Sequence, residues 1–221
     1  MLKFNLCNIE GRDKFCKAIQ YASRFLKFYY EGKDEDMQGR FTGLFNNMKT
    51  ARKLFRLFKT LNEIKKTTDL LSKGDLDHIA ILNVLQRIAF GLYWIFDNIS
   101  VLSSIKFLKY DAKQNAKSGA FFWFIALLLG QIVAILKLAD LADQEAQLSK
   151  KERNDETKKQ LKVIQAKKFT EYLNVIKQLG DMITSSSAIE LPDKFGFKFS
   201  EGHIGIGGFV SAVITMYQLY P

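Results

Sequence analysis

The sequence predicts an all-α, membrane-embedded helical bundle with amphipathic N-terminal helices and two transmembrane helices. Three observations predict it. The 221 residues include only 2 Pro, and long stretches lack Gly as well, which favours long helices over a turn-rich β fold. Segments 119–136 and 204–219 carry no charged side chain, as a segment crossing hydrocarbon must. Elsewhere, apolar residues recur at steps of three and four, the helical period.

Composition excludes other classes. Apolar residues make up 48% of the chain, with 19 Phe, too many for a disordered protein. Two Cys cannot build a disulfide scaffold. The net charge of +10 is unevenly spread. Either nucleic acid or an anionic membrane surface would account for such a charge. Residues 1–78 hold 16 basic and 10 acidic residues and residues 79–139 hold 6 and 2. Residues 140–201 hold 11 of each, and 202–221 hold none. The whole excess therefore precedes residue 140. Four regions follow: a basic amphipathic region (1–78), a membrane-associated helix and first span (79–139), a charged helical loop region (140–201) and a C-terminal Gly-rich span (202–221). At the N-terminus, Glu10, Arg12 and Asp13 follow too soon for an apolar signal region, and the acids argue against a mitochondrial presequence.

Taken in order, Phe15, Ile19, Ala22, Phe25, Leu26, Tyr29 and Tyr30 mark one face of a helix from Asn8 to Glu31. Gly32 and the acidic run Asp34-Glu35-Asp36 end it. A second helix is expected from Met37 to Leu71, broken by Gly74, and a third from Asp75 to Lys109. Within the third, Ile88–Phe96 is strongly apolar. Asp97 and Asn98 would lie deep in a bilayer, where a charge needs a partner. A partly embedded helix, or one packed on its neighbours, fits equally well. A fourth helix runs from Asn115 through Gly119–Leu136 to Lys150, with Trp123, Lys117 and Lys137 suited to the membrane interface. A fifth covers 155–188, and Ser185–Ser200 reads as a loop. The last, Ile204–Leu219, pairs small residues at Gly207/Ser211 and Gly208/Ala212, and Gly205 adds to the set. Such pairs let helix backbones approach closely in lipid. Two spans here form a hairpin, with the basic 1–117 and both termini in the cytosol and 138–202 opposite.

Ala51–Leu71 reads ARKLFRLFKTLNEIKKTTDLL. Wound at 100° per residue, Leu54, Phe55, Leu57, Phe58, Leu61 and Ile64 fall on one side. Arg52, Lys53, Arg56, Lys59 and Lys66 fall on the other, and only Lys65 lands near the apolar arc. A basic amphipathic helix of this kind suits a membrane interface, apolar face in the acyl boundary and cations on anionic phospholipid headgroups. Packing on other helices of the same protein is the plainer alternative. Phosphate contact with nucleic acid is disfavoured beside two spans. No catalytic, metal or cofactor pattern emerges. Cys7 and Cys16 match no metal spacing, His78 and His203 stand apart, and no phosphate-binding loop or nucleophile elbow occurs.

The order of segments resembles the peroxisomal biogenesis factor 11 family. Gly11-Arg12-Asp13-Lys14, then Phe15, Ile19, Gln20, Tyr21 and Arg24, resembles its opening helix. Ala51-Arg52-Lys53-Leu54-Phe55-Arg56-Leu57 resembles its basic helix, with Phe58 where a Gly is usual. Leu92-Tyr93-Trp94-Ile95-Phe96-Asp97-Asn98, Phe122-Trp123 and 205–217 resemble its later segments. The resemblance implies a multi-pass protein of the peroxisomal (or glycosomal) membrane that curves and elongates it before fission, with 51–66 as the remodelling element. It further implies self-association as a homo-oligomer and recruitment of fission machinery. The charged stretch 140–168 is long for the pattern. Two other readings stand beside it. One is an accessory subunit of a larger organellar, even mitochondrial, membrane complex. The other is a pore for small metabolites.

Overall fold

The computed structural model describes residues 9–72, 74, 77–150 and 154–219. Cys7 and both termini lie outside the described residues. The described chain forms seven α-helices and no strand: α1 (Ile9–Tyr29), α2 (Glu35–Phe55), α3 (Lys59–Leu71), α4 (His78–Ser104), α5 (Ala112–Ser149), α6 (Asp155–Ala188) and α7 (Glu201–Gln218). A single 3-10 turn, Pro192–Phe195, precedes α7. The all-α class is as expected.

The helix ends follow from their caps. Asp34, Asp77, Asp111, Asn154 and Ser200 each accept a backbone N–H in the first turn of α2, α4, α5, α6 and α7. Gly32 takes φ +70° between α1 and α2, the left-handed conformation that glycine adopts without strain. Two boundaries differ from the sequence reading. The expected helix from Met37 to Leu71 breaks at Arg56–Phe58, where Phe58 sits at φ 61°. The expected loop from Ser185 begins later. Ser185 and Ser186 close α6, fully or nearly buried, with their hydroxyls donating to the carbonyls of Met182 and Ile183. Serine bonded back to its own helix behaves as a helical residue.

α1 packs between α2 and α7, α6 between α5 and α7, α5 against α4, and α4 against α3. In the bundle so formed, charged and polar side chains are buried beside Tyr21, Tyr93, Leu127 and Ile204, and many large apolar ones face outward. The fully buried side chains of largest volume are Asp13, Ser23, Ser185 and Ser211. Outward stripes at helical spacing are apolar: Ile81, Leu85, Ile88 and Ile95 on α4, Phe121, Leu128, Ile132 and Ile135 on α5, Phe169, Tyr172, Ile176 and Leu179 on α6. In water, that arrangement exposes what should be hidden. In lipid, it places polar groups where they find partners.

The pair of membrane-length helices differs from the expected pair. Among the described residues, two helices are long and apolar enough to cross a bilayer, α4 and α5, and only 11% and 39% of their apolar windows are buried in the protein. A soluble core helix would be mostly buried. α7, the expected second span, is not among them. Glu201 and His203 occupy its first turn, and its small residues face α1 and α6. Within α4, Asp97 has the partner that a charge shielded from water needs: the Arg56 guanidinium lies 3.4 Å from its carboxylate.

Candidate functional site

The break at Phe58 sets the site. α2 brings Arg52 and Arg56 inward, and α3 restarts with Lys59 turned the same way. Arg52 Nε donates to Asp13 Oδ1 at 3.0 Å, and its NH1 donates to Gln20 Oε1 at 2.8 Å. Lys59 and Lys14 approach the other oxygen of Asp13 at 3.7 and 3.5 Å. Arg56 donates to the Tyr93 hydroxyl at 3.1 Å. Arg56 and Lys59 both lie over the Trp94 ring, at 5.8 and 5.2 Å, where the π face attracts a cation. Lys66 and Arg87 share Glu63, at 2.9 and 3.3 Å.

Electrostatics match the geometry. Burial alone would raise the Asp13 pKa, but Arg52, Lys14, Lys59 and Arg56 outweigh it and hold the carboxyl well below the usual carboxylate range. Burial pushes Lys59 down to about 8, Lys14 adding repulsion against the pull of Asp13. Arg56 is raised, because Tyr93, Asp97 and Asp13 overcome its desolvation.

The basic residues expected to meet headgroups are therefore divided. Arg52 (8% exposed), Arg56 and Lys59 are engaged inside the protein rather than turned outward. The wheel separated the two faces but could not say which one turned inward. Asp13 and Asp97, 39 and 41 residues away in sequence from Arg52 and Arg56, decided that. Lys53 is half-buried, with no ion pair among the described residues, and Lys66 is exposed. The apolar face points outward: Leu54, Phe58, Leu61 and Ile64 are 58–70% exposed, while Phe55 and Leu57 are half-buried.

The small residues of α7 all lie at helix contacts. A Cβ at Gly207 would stand 2.8 Å from the carbonyl oxygen of Gly180 on α6. One at Gly205 would stand 2.7 Å from the backbone nitrogen of Phe25, and one at Gly208 would enter the Tyr21 ring. Ser211 and Ala212 are fully buried, and Ser211 accepts from Lys17 at 2.8 Å. Lys17 also pairs with Asp181 at 2.7 Å, a residue that the sequence reading missed. Its only sequence signal was a carboxylate on the apolar flank of α6.

The family model for Peroxisomal biogenesis factor 11 matches residues 5–220. The chain belongs to the Peroxisomal biogenesis factor 11 family. Among curated relatives, it is 26% identical to Peroxisomal membrane protein 11 homolog of Dictyostelium discoideum, over 98% of this chain and 92% of that one. It is 26% identical to Peroxisomal membrane protein 11C of Arabidopsis thaliana, over 96% and 88%. It is also 26% identical to Peroxisomal membrane protein 11-5 of Oryza sativa subsp. japonica, over 100% and 92%. No solved structure matches. Phe58 keeps the left-handed backbone conformation that glycine favours.

Proposed function

We propose that this chain is a peroxisomal membrane protein that bends the membrane by wedging the outer face of α2–α3 into one leaflet. One observation carries the reading. Leu54, Phe58, Leu61 and Ile64 form an outward apolar ridge on a bundle whose α4 and α5 have membrane length. A shallow apolar wedge expands one leaflet relative to the other and favours positive curvature. Lys53 and Lys66 flank the ridge and contact anionic headgroups, each contributing on the order of 1 kcal/mol. Arg52 and Arg56 hold the ridge on the bundle. The wedge is thereby coupled to the spans rather than free to leave them.

The test uses the full chain reconstituted in liposomes containing anionic lipid. The protein should elongate them into tubules. Leu61→Gln with Ile64→Gln, both exposed and so harmless to packing, should abolish tubulation while leaving the protein in the bilayer. Unchanged tubulation by that variant would refute the wedge. A tagged copy should coincide with peroxisomal markers in cells; coincidence with mitochondria alone would refute the assignment to that organelle.

A further inference from the structure

Between α1, α2, α4, α5, α6 and α7 lies a cavity of about 400 Å³, a volume within the range of small-molecule sites, roughly 300–1,000 Å³. Seven cationic side chains line it against three acidic ones, Asp13, Glu171 and Asp181. We infer that this cavity binds a small oxyanion, the phosphate or carboxylate group of a solute or of a lipid.

Arg56 and Arg87 turn to carboxylates outside the lining, Asp97 and Glu63, so the surplus falls on Lys14 and Lys177. Asp13 is committed to Arg52, and Asp181 to Lys17 at 2.7 Å. Glu171 lies 3.7 Å from Lys137. Lys177 hydrogen-bonds amide oxygens, Asn174 Oδ1 at 2.9 Å and Gln218 Oε1 at 2.7 Å, and makes no ion pair within 4 Å among the described residues, though Asp181 and Glu171 attract it from further off. Nε of Arg56 is buried and donates to no atom among the described residues. An arginine cannot discharge itself by losing a proton. Excess buried positive charge is met by deprotonating lysine, admitting water or seating an anion. Burial, with repulsion among the neighbouring cations, lowers Lys14 and Lys17 and brings Lys177 down to about 8. The surplus sign rules against a cation, and the charged lining against an apolar guest. The seat is separate from the outward ridge, so it stands or falls independently of membrane bending.

The experiment places the full chain in phosphatidylcholine nanodiscs at pH 7. Thermal unfolding is followed against inorganic phosphate, with chloride holding ionic strength constant. Phosphate should raise the midpoint saturably. Lys177→Gln should weaken the apparent affinity at least fivefold, and Asp181→Asn should strengthen it. Lys137→Gln, whose side chain is 41% exposed, tests the same seat with the smallest demand on folding and should weaken it by a similar factor. A response shared equally by chloride, or unchanged in Lys137→Gln and Lys177→Gln, would overturn the site. Adding phosphatidic acid to the nanodiscs separates the sources. Loss of the phosphate response there assigns the seat to a lipid headgroup, and its persistence assigns it to a soluble anion.

Discussion

Asp13 joins α1 to both halves of the broken basic segment, and its side chain is 1% exposed. Removing one member of a buried ion cluster leaves the others charged and unpaired, at about 3–5 kcal/mol. Asp13→Ala should lose that much stability in detergent unfolding. The double variant with Arg52→Ala should cost less than the sum of the singles, because the orphaned guanidinium goes too. Phe58 is the converse case. Holding a non-glycine residue in the left-handed region costs about 1–2 kcal/mol. Phe58→Gly relieves this at some expense in chain entropy. It should raise stability by about 1 kcal/mol while weakening liposome binding, since the lost ring is 70% exposed. Titration supplies a third prediction. Lys59 and Lys177 have folded pKa values of about 8, below the ordinary 10.5. Between those values the unfolded chain binds more protons than the folded one, so stability rises with pH from about 8 to 10.5. A flat or falling unfolding midpoint across that window would contradict the burial of these two lysines.

At the scale of elements, the helices were legible because period, caps and breakers are local. Gly32 and the Asp34 cap fixed the turn after α1, and 155–188 matched α6. The break at Phe58 was illegible, since nothing in a Leu-Phe-Lys run marks a left-handed residue. The break accompanies Arg56 on Asp97, Lys59 on Asp13 and both cations over the Trp94 ring. The case of α4 is similar. Asp97 and Asn98 argued against α4, but their partners, Arg56 and the Phe58 backbone N–H at 3.3 Å, lie about 40 residues away. The glycines of α7 promised close packing, which they serve within this chain, between α1 and α6. Gly207→Leu should force α6 and α7 apart, costing about 1–3 kcal/mol by the usual penalty for overpacking. Gly39→Leu is its control, because a side chain there meets nothing within 4 Å.

On the scale of the whole molecule, the surplus of ten positive charges is sorted rather than spread. Part of it lines an interior cavity, part ties the α2–α3 junction to the bundle, and the outward faces are apolar. A sequence reveals the two faces of each helix but not which one becomes the exterior. The solvent decides that. Central to the account is that lipid surrounds this bundle and that the ridge of α3 enters it. Nitroxide depth measurement tests this most directly. On a background of Cys7→Ser and Cys16→Ser, single labels are placed at Phe58→Cys, Leu61→Cys and Ile64→Cys, with Asp155→Cys, 91% exposed at the start of α6, as the polar comparison, in the liposome-bound full chain. Oxygen, which concentrates in hydrocarbon, should relax the first three labels more than a water-soluble nickel complex does, with the order reversed at residue 155. Dominant relaxation by the aqueous reagent at 58, 61 and 64 would contradict it.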